Sequence, residues 1–104
     1  MTQLLLPSDV IAYSSTPDFT QDTVPDKLLS RHNTKAGVWG KLEILDGDLV
    51  YVIDDLEDLR LPLKAGETGV IVPQQYHHLE LTGPVRFRVI FLKAHTALEA
   101  IPND

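Results

Sequence analysis

The chain has 104 residues, which is enough for one domain and too few for two, and 43% of them are hydrophobic and 23% charged. This composition is typical of globular proteins and excludes a disordered chain. The 15 Asp and Glu outnumber the 9 Lys and Arg, and the absence of cysteine excludes disulfides and thiolate metal sites. We therefore expect a single domain over residues 1–104, with neither nucleic acid nor membrane as a partner.

The amino-terminal stretch MTQLLLPSDV contains no basic residue, and its apolar run ends at Pro7. It matches neither a secretory signal peptide nor a membrane-spanning helix, because each needs a longer apolar run. These features predict a cytoplasmic protein.

Seven prolines and six glycines divide the rest of the chain into short apolar stretches, which predict strands rather than helices. The predicted strands are, in chain order, 9–13, 28–33, 38–45, 49–54, 59–63, 69–73, 77–81 and 85–93. Asp46-Gly47-Asp48 and Thr82-Gly83-Pro84 predict tight hairpins, because glycine accepts a positive φ. A short helical tail is predicted at 95–101. Eight short strands indicate an all-β sandwich or barrel.

Four histidines, at positions 32, 77, 78 and 95, are the main chemical resource of the sequence, since imidazole is the commonest metal ligand in proteins. His77 and His78 are neighbours on a predicted strand and must face opposite sides of it. His77 shares its side with Leu79 and Leu81, so we expect it to point inward. An inward histidine is either a hydrogen-bonded core residue or a metal ligand, and the pattern alone leaves both open.

Residues 66–77, GETGVIVPQQYH, resemble the second signature motif of the cupins, in which a glycine precedes a metal-binding histidine at the spacing of Gly66 and His77. In the first cupin motif, the position of the glutamate ligand is held here by Gly40, and His32 is the only histidine near the usual pair. The resemblance implies a cupin-like double-stranded β-helix, a jelly-roll barrel or sandwich. It disfavours an ordinary four-ligand cupin enzyme.

A narrower resemblance covers about nine-tenths of the chain. The segments STPDFTQDTVPDKLLSRHNTKAGVWGKLEILDGDL and VPQQYHHLEL together resemble the TehB/YeaR-like domain family, small cupin-type proteins associated with tellurite resistance. In that family the domain occurs alone or ahead of a methyltransferase domain that uses S-adenosylmethionine. No glycine-rich loop follows a strand and opens a helix here, so methyl transfer is not expected of this chain.

The family pattern falls on His32, Lys35, Trp39, Lys41, Tyr76, His77 and Glu80. The resemblance implies that His32, His77 and Glu80 hold a divalent metal and that Lys35, Trp39, Lys41 and Tyr76 bind a ligand at one mouth of a barrel. Two imidazoles with a carboxylate and water would suit Zn²⁺, Fe²⁺, Mn²⁺ or Ni²⁺.

Three of these assignments have a plainer alternative. Glu80 faces the side opposite His77 unless a bulge follows His77, and it is otherwise a surface or supporting carboxylate paired with Lys35, Lys41 or an arginine. Lys35 is either a solvated loop residue or a cation for a small oxyanion or carboxylate. Trp39 is either packing or part of the binding site.

The leading functional hypothesis is a cupin-type protein that binds a divalent metal through two histidines in a stress or oxyanion response. The alternative is a metal-free module for a small molecule or an oxyanion, because a barrel interior holds a small ligand without metal. A second alternative is a metal-dependent isomerase or oxygenase, for which the sequence gives no defined general base. A homodimer is a further expectation, since pairing across an exposed edge strand would cover it.

Overall fold

A computed structural model describes residues 5–95 of the chain. The strands are β1 (Val10–Ser15), β2 (Phe19–Thr20), β3 (Trp39–Ile53), β4 (Leu59–Lys64), β5 (Thr68–Ile71) and β6 (His77–Ala94). Two short 3₁₀ turns, Asp26–Leu29 and Asp54–Leu56, lie between strands. The second turn joins β3 to β4 in an antiparallel hairpin.

The strands form one open antiparallel sheet with the order β1-β6-β3-β4, and β2 and β5 add to β6 and β3 respectively. β3 and β6 are the long central pair, which runs from Trp39 opposite Leu92 to Ile53 opposite His77. The all-β prediction is confirmed. This sheet order does not by itself establish a double-stranded β-helix, so the cupin-type architecture stays a prediction.

The hairpin predicted at Asp46-Gly47-Asp48 is wrong, because β3 continues through these residues. The register of β3 against β6 shifts between Ile44 and Asp46 and again between Gly47 and Leu49. Gly47 does have the expected positive φ, +72°. This conformation occurs in an irregular, bulge-like stretch of a continuous strand and not in a hairpin turn. A Cβ at Gly47 would lie 2.1 Å from the carbonyl oxygen of Pro84, so glycine is required on both counts.

The hairpin predicted at Thr82-Gly83-Pro84 is also wrong, because β6 is continuous from His77 to Ala94. These three residues lie opposite the irregular stretch of β3 and have no partner there in the ladder. The missing N–H of Pro84 therefore removes no hydrogen bond between β3 and β6.

The strand predicted at 28–33 is wrong as well. Pro25 precedes a 3₁₀ turn over Asp26–Leu29, in which the N–H of Leu28 donates to the carbonyl of Pro25 over 3.0 Å. From the predicted strand, only His32 joins the sheet, through an isolated bridge to His77. The helix predicted at 95–101 lies outside the described residues from position 96 onward.

One hydrophobic cluster forms the core and takes side chains from both halves of β3 and β6. Its buried members are Leu42, Ile44, Leu49, Tyr51, Ile53, Ile71, Leu79, Val85, Phe87 and Val89. Because one core takes side chains from β2 to β6, removing a central side chain is expected to affect all of these strands. Within residues 5–95, no helix is long and apolar enough to cross a membrane.

Candidate functional site

His32 and His77 are brought together by the backbone. The N–H of His32 donates to the carbonyl of His77 over 3.0 Å, and the N–H of His77 donates to the carbonyl of His32 over 2.8 Å. Residues that are directly opposite in an antiparallel pair project to the same face. The two imidazoles are therefore neighbours, with ring centres 4.3 Å apart.

Both rings are held in the same tautomer by the same local contact. The Nδ1–H of His32 donates to the carbonyl of Ser30 over 2.8 Å, and that of His77 donates to the carbonyl of Gln75 over 2.9 Å. Because a carbonyl oxygen only accepts, Nδ1 carries the proton in the neutral form of each ring, and in that form Nε2 carries the lone pair. This is the arrangement in which histidine ligates a metal through Nε2.

Burial keeps His77 neutral. The residue is 3% exposed, and burial lowers its pKa despite the opposing effect of the hydrogen bond to Gln75. The ring of Tyr51 packs edge-on against His77, and its hydroxyl donates to the carbonyl of Val70 over 3.0 Å. Burial also raises the pKa of Tyr51, so this phenol stays protonated beside the imidazole.

The two histidines line a cavity of about 530 Å³. Lys27 and Lys35 also line it, whereas most of the remaining wall is apolar. The two predicted histidines therefore lie beside a space that is large enough for a ligand. Cavities of roughly this size bind small molecules in other proteins.

Glu80 does not join the histidine pair. No bulge follows His77, because β6 stays in register with β3 from His77 to Leu81, so Glu80 lies on the opposite face. Its carboxylate pairs with Arg60 instead, which agrees with the alternative interpretation of this residue. Within residues 5–95, no three His, Cys, Asp or Glu side chains are gathered as a metal site.

His78 shares the outer face with Glu80. Its Nδ1 lies 2.9 Å from Oδ2 of Asp54 and its Nε2 lies 3.5 Å from Oε2 of Glu80. Partial burial by itself lowers the pKa of His78. The hydrogen bonds and negative charges of Asp54 and Glu80 outweigh this effect and raise the pKa overall. The adjacent histidines thus have opposite roles: His77 stays neutral in the core, while His78 favours its charged form on the surface.

Of the four predicted ligand-binding residues, only Lys35 lines the cavity. Trp39 and Lys41 alternate on β3 with the buried Gly40 and Leu42, so their side chains project to the other face of the sheet. Tyr76 is exposed, and Arg31 lies 4.3 Å above its ring. Of these four residues, the structure thus brings only Lys35 to the cavity, and a ligand-binding role for the other three stays a prediction.

Lys41 belongs to an ion-pair cluster on that outer face. Glu43 accepts from Nε of Arg88 over 2.8 Å and lies 3.2 Å from Nζ of Lys41. The hydrogen bond from Arg88 lowers the pKa of Glu43 below its ordinary 4.5, against the opposing effect of burial.

This cluster predicts a specific loss of stability in acid. Because the folded pKa of Glu43 is depressed, its contribution is complete above pH 4.5 and is lost as the pH falls through the folded pKa. Urea midpoints of the wild type and of Glu43→Gln should therefore differ at pH 7 and converge as the pH falls below 4.5. A difference that stays constant down to pH 3 would contradict this assignment.

Sequence reasoning missed Lys27 and the two carbonyls that orient the imidazoles. Lys27 lies in the Asp26–Leu29 turn, which was expected to be partly strand. The carbonyl of residue i−2 accepts from each histidine, at Ser30 and Gln75, and a backbone acceptor has no signature in residue type. Only the positions of the histidines themselves could be identified.

The model of one protein family, described as the TehB-like domain, matches residues 14–89. The chain is 31% identical over 77 residues to the probable S-adenosyl-L-methionine-dependent methyltransferase TehB of Haemophilus influenzae, covering 70% of this chain and 27% of that protein. It is 28% identical over 104 residues to the uncharacterized protein YeaR of Escherichia coli K12, covering 91% of this chain and 87% of YeaR. The chain thus spans about a quarter of the length of TehB and most of YeaR.

Two crystal structures share the fold. A protein from Escherichia coli K12 aligns with a TM-score of 0.79 at 27% identity, over 88% of this chain and 98% of that one. TehB from Haemophilus influenzae aligns with a TM-score of 0.77 at 23% identity, over 92% of this chain and 36% of that one. The family model covers well over half of the sequence, and the chain belongs to the TehB-like domain family.

Proposed function

We propose that this protein binds one divalent metal ion through Nε2 of His32 and Nε2 of His77, at the wall of the 530 Å³ cavity. The observation that carries the proposal is that both Nδ1–H groups donate to backbone carbonyls, which leaves two lone pairs on adjacent rings. The neutral state of His77 supports it further, since a metal competes with a proton for the same nitrogen.

The separation of the two rings is slightly smaller than that of two imidazoles on a shared ion. With metal–nitrogen distances of about 2.0–2.1 Å, two imidazoles on one ion have ring centres about 4.5–5.5 Å apart. The rings here are 4.3 Å apart, so a small rotation of the less buried His32 would suffice. Zn²⁺, Fe²⁺, Mn²⁺ and Ni²⁺ all accept imidazole, and the remaining positions would be filled by water or a ligand.

The metal content of purified protein tests this proposal. After incubation with each of the four ions and desalting, mass spectrometry of the metal should find one ion per chain in the wild type and in His78→Gln. His32→Gln and His77→Gln should lose it. At a free metal concentration about 100 times Kd, binding adds about 2.7 kcal/mol, or roughly 10 °C or more in Tm.

The His78→Gln control removes an imidazole one residue away but on the outer face, so it separates the cavity from nonspecific uptake. Equal metal content in the wild type, His32→Gln and His77→Gln would overturn the proposal. Circular dichroism confirms that each variant folds before its metal content is compared.

A metal-free binding module is the second candidate, and Lys35 and Lys27 in the cavity favour it. They bring positive charge to a small anionic ligand without any metal. The stress or oxyanion role follows from the family resemblance and is part of the metal-binding proposal. Methyl transfer is named for TehB as a whole, of which this chain matches about a quarter, and we do not extend it to this chain.

The remaining expectations stay predictions. An isomerase or oxygenase activity would need a general base, and His78 with Asp54 lies on the face opposite the cavity. A homodimer would form most simply along β1, which pairs with β6 on one side and exposes Ile11 and Tyr13. The cytoplasmic location stays a prediction as well.

A further inference from the structure

The cavity is too large and too apolar for a small inorganic ion alone. At about 30 Å³ per water molecule, 530 Å³ holds roughly 18 waters, several times the volume of an oxyanion of four or five atoms. Its walls include the side chains of Phe19, Leu28, Val38, Leu79, Val89 and Phe91. An apolar surface of this kind gains free energy only when an apolar body covers it.

Two exposed lysines at the wall of the cavity have a charge opposite in sign to the net charge of the chain. The sequence has a net charge of −6, yet among residues 5–95 no Asp or Glu lines the cavity, whereas Lys27 and Lys35 do. Neither lysine forms an ion pair with a carboxylate in the described part of the chain. Their positive charge is therefore available to a ligand, in a protein that otherwise repels anions.

From these two features we infer that the cavity binds an organic monocarboxylate with an apolar body. The apolar body packs against the Phe19, Leu28 and Phe91 wall, and the carboxylate pairs with Lys27 and Lys35. This deepens the proposed function and rests on it in one respect, because the carboxylate would also be a ligand for an ion held by His32 and His77.

Three probes distinguish the contribution of the ligand's apolar body to binding from the contribution of its negative charge. 2-Naphthoate has both the apolar body and the carboxylate, 2-naphthamide has the same ring system without charge, and acetate has the charge without the rings. Tellurite serves as an inorganic oxyanion. Isothermal titration calorimetry on zinc-loaded and on metal-free protein should show 2-naphthoate binding at least tenfold more tightly than the other three in the zinc-loaded form.

Two variants test the two halves of the cavity separately. In metal-free protein, Lys27→Gln with Lys35→Gln should reduce the preference for naphthoate over naphthamide to less than threefold, because the positive charge is removed and the apolar walls stay. Val38→Trp should weaken both naphthyl probes at least tenfold by filling the cavity, while one zinc ion per chain is retained. Lys41→Gln is the matched control, since Lys41 pairs with Glu43 on the outer face. This substitution should leave the affinity for both naphthyl probes unchanged.

The outcomes distinguish this inference from the proposed function. If zinc binds through His32 and His77 but naphthoate binds no more tightly than acetate or tellurite, the carboxylate inference is overturned and the metal proposal stands. If no metal binds, the metal proposal fails. Tenfold selectivity for naphthoate over naphthamide in metal-free protein would then support the pocket for the apolar acid, and equal binding would overturn it.

Discussion

Gly47→Ala is expected to destabilise the protein by about 3–5 kcal/mol, a large part of the roughly 5–15 kcal/mol that folded domains have in total. Alanine at a φ of +72° is strained, and its Cβ would lie 2.1 Å from the carbonyl oxygen of Pro84. Relief of that contact requires β3 and β6 to separate where they pair through Gly47 and Val85. Urea denaturation followed by the fluorescence of the single tryptophan measures the change.

Two other glycines provide matched controls. Gly66 has a φ of +90° but nothing within 4 Å of a built Cβ, so Gly66→Ala reports the backbone strain alone. Gly83 has neither a positive φ nor a close neighbour, so Gly83→Ala should have the smallest effect of the three. Equal urea midpoints for Gly47→Ala and Gly66→Ala would show that the close contact with the carbonyl of Pro84 adds nothing to the destabilisation.

Phe87→Ala is the second large effect, with an expected loss of about 3–5 kcal/mol from buried surface and cavity formation. Phe87 is fully buried, and its ring centre lies 5.8 Å from that of Phe19 on the short strand β2. Because Phe19 lines the ligand cavity, the substitution should also weaken naphthoate binding in the folded fraction. The urea midpoint should fall with little change in slope.

An exposed aromatic residue gives the comparison for Phe87. Tyr76→Ala removes a ring of similar size that is 37% exposed, and it should cost less than about 1 kcal/mol. A similar loss for both variants would mean that the ring of Phe87 does not stabilise the core more than a surface ring does.

The two misassigned hairpins show how far periodicity can be taken. Along β3 the buried positions change from the even Leu42 and Ile44 to the odd Leu49 and Tyr51, because register shifts intervene. A bulge and a tight turn both place polar residues and a positive-φ glycine between two alternating stretches, so local pattern does not separate them. The conformation of Gly47 was predictable and its topological role was not.

β6 did carry a signal against its predicted hairpin. Its buried positions stay odd from His77 and Leu79 to Val85 and Phe87, which is the alternation of one uninterrupted strand. Pro84 obscured this pattern, since proline inside a central strand is normally evidence against it. Here the irregular stretch of β3 leaves that position without a ladder partner.

The candidate site was predictable in part. The inward direction of His77 followed from its apolar neighbours and is confirmed by its 3% exposure. Its pairing with His32 joins distant parts of the sequence, and only the family resemblance related the two residues. The family resemblance placed Lys41 in the ligand site, whereas the alternation that buries Leu42 directs Lys41 outward, so strand parity would have been the more informative guide there.

The bridge between His32 and His77 also determines when the site forms. The β3–β4 hairpin closes a short loop, from Ile53 to Leu59, and its ordering costs little chain entropy. The bridge instead closes the long loop from 32 to 77, which includes that hairpin, and such nonlocal contacts form slowly. We therefore expect the histidine pair to be completed late in folding, so that partly folded chains with the hairpin alone lack the cavity in which to hold a metal or an acid.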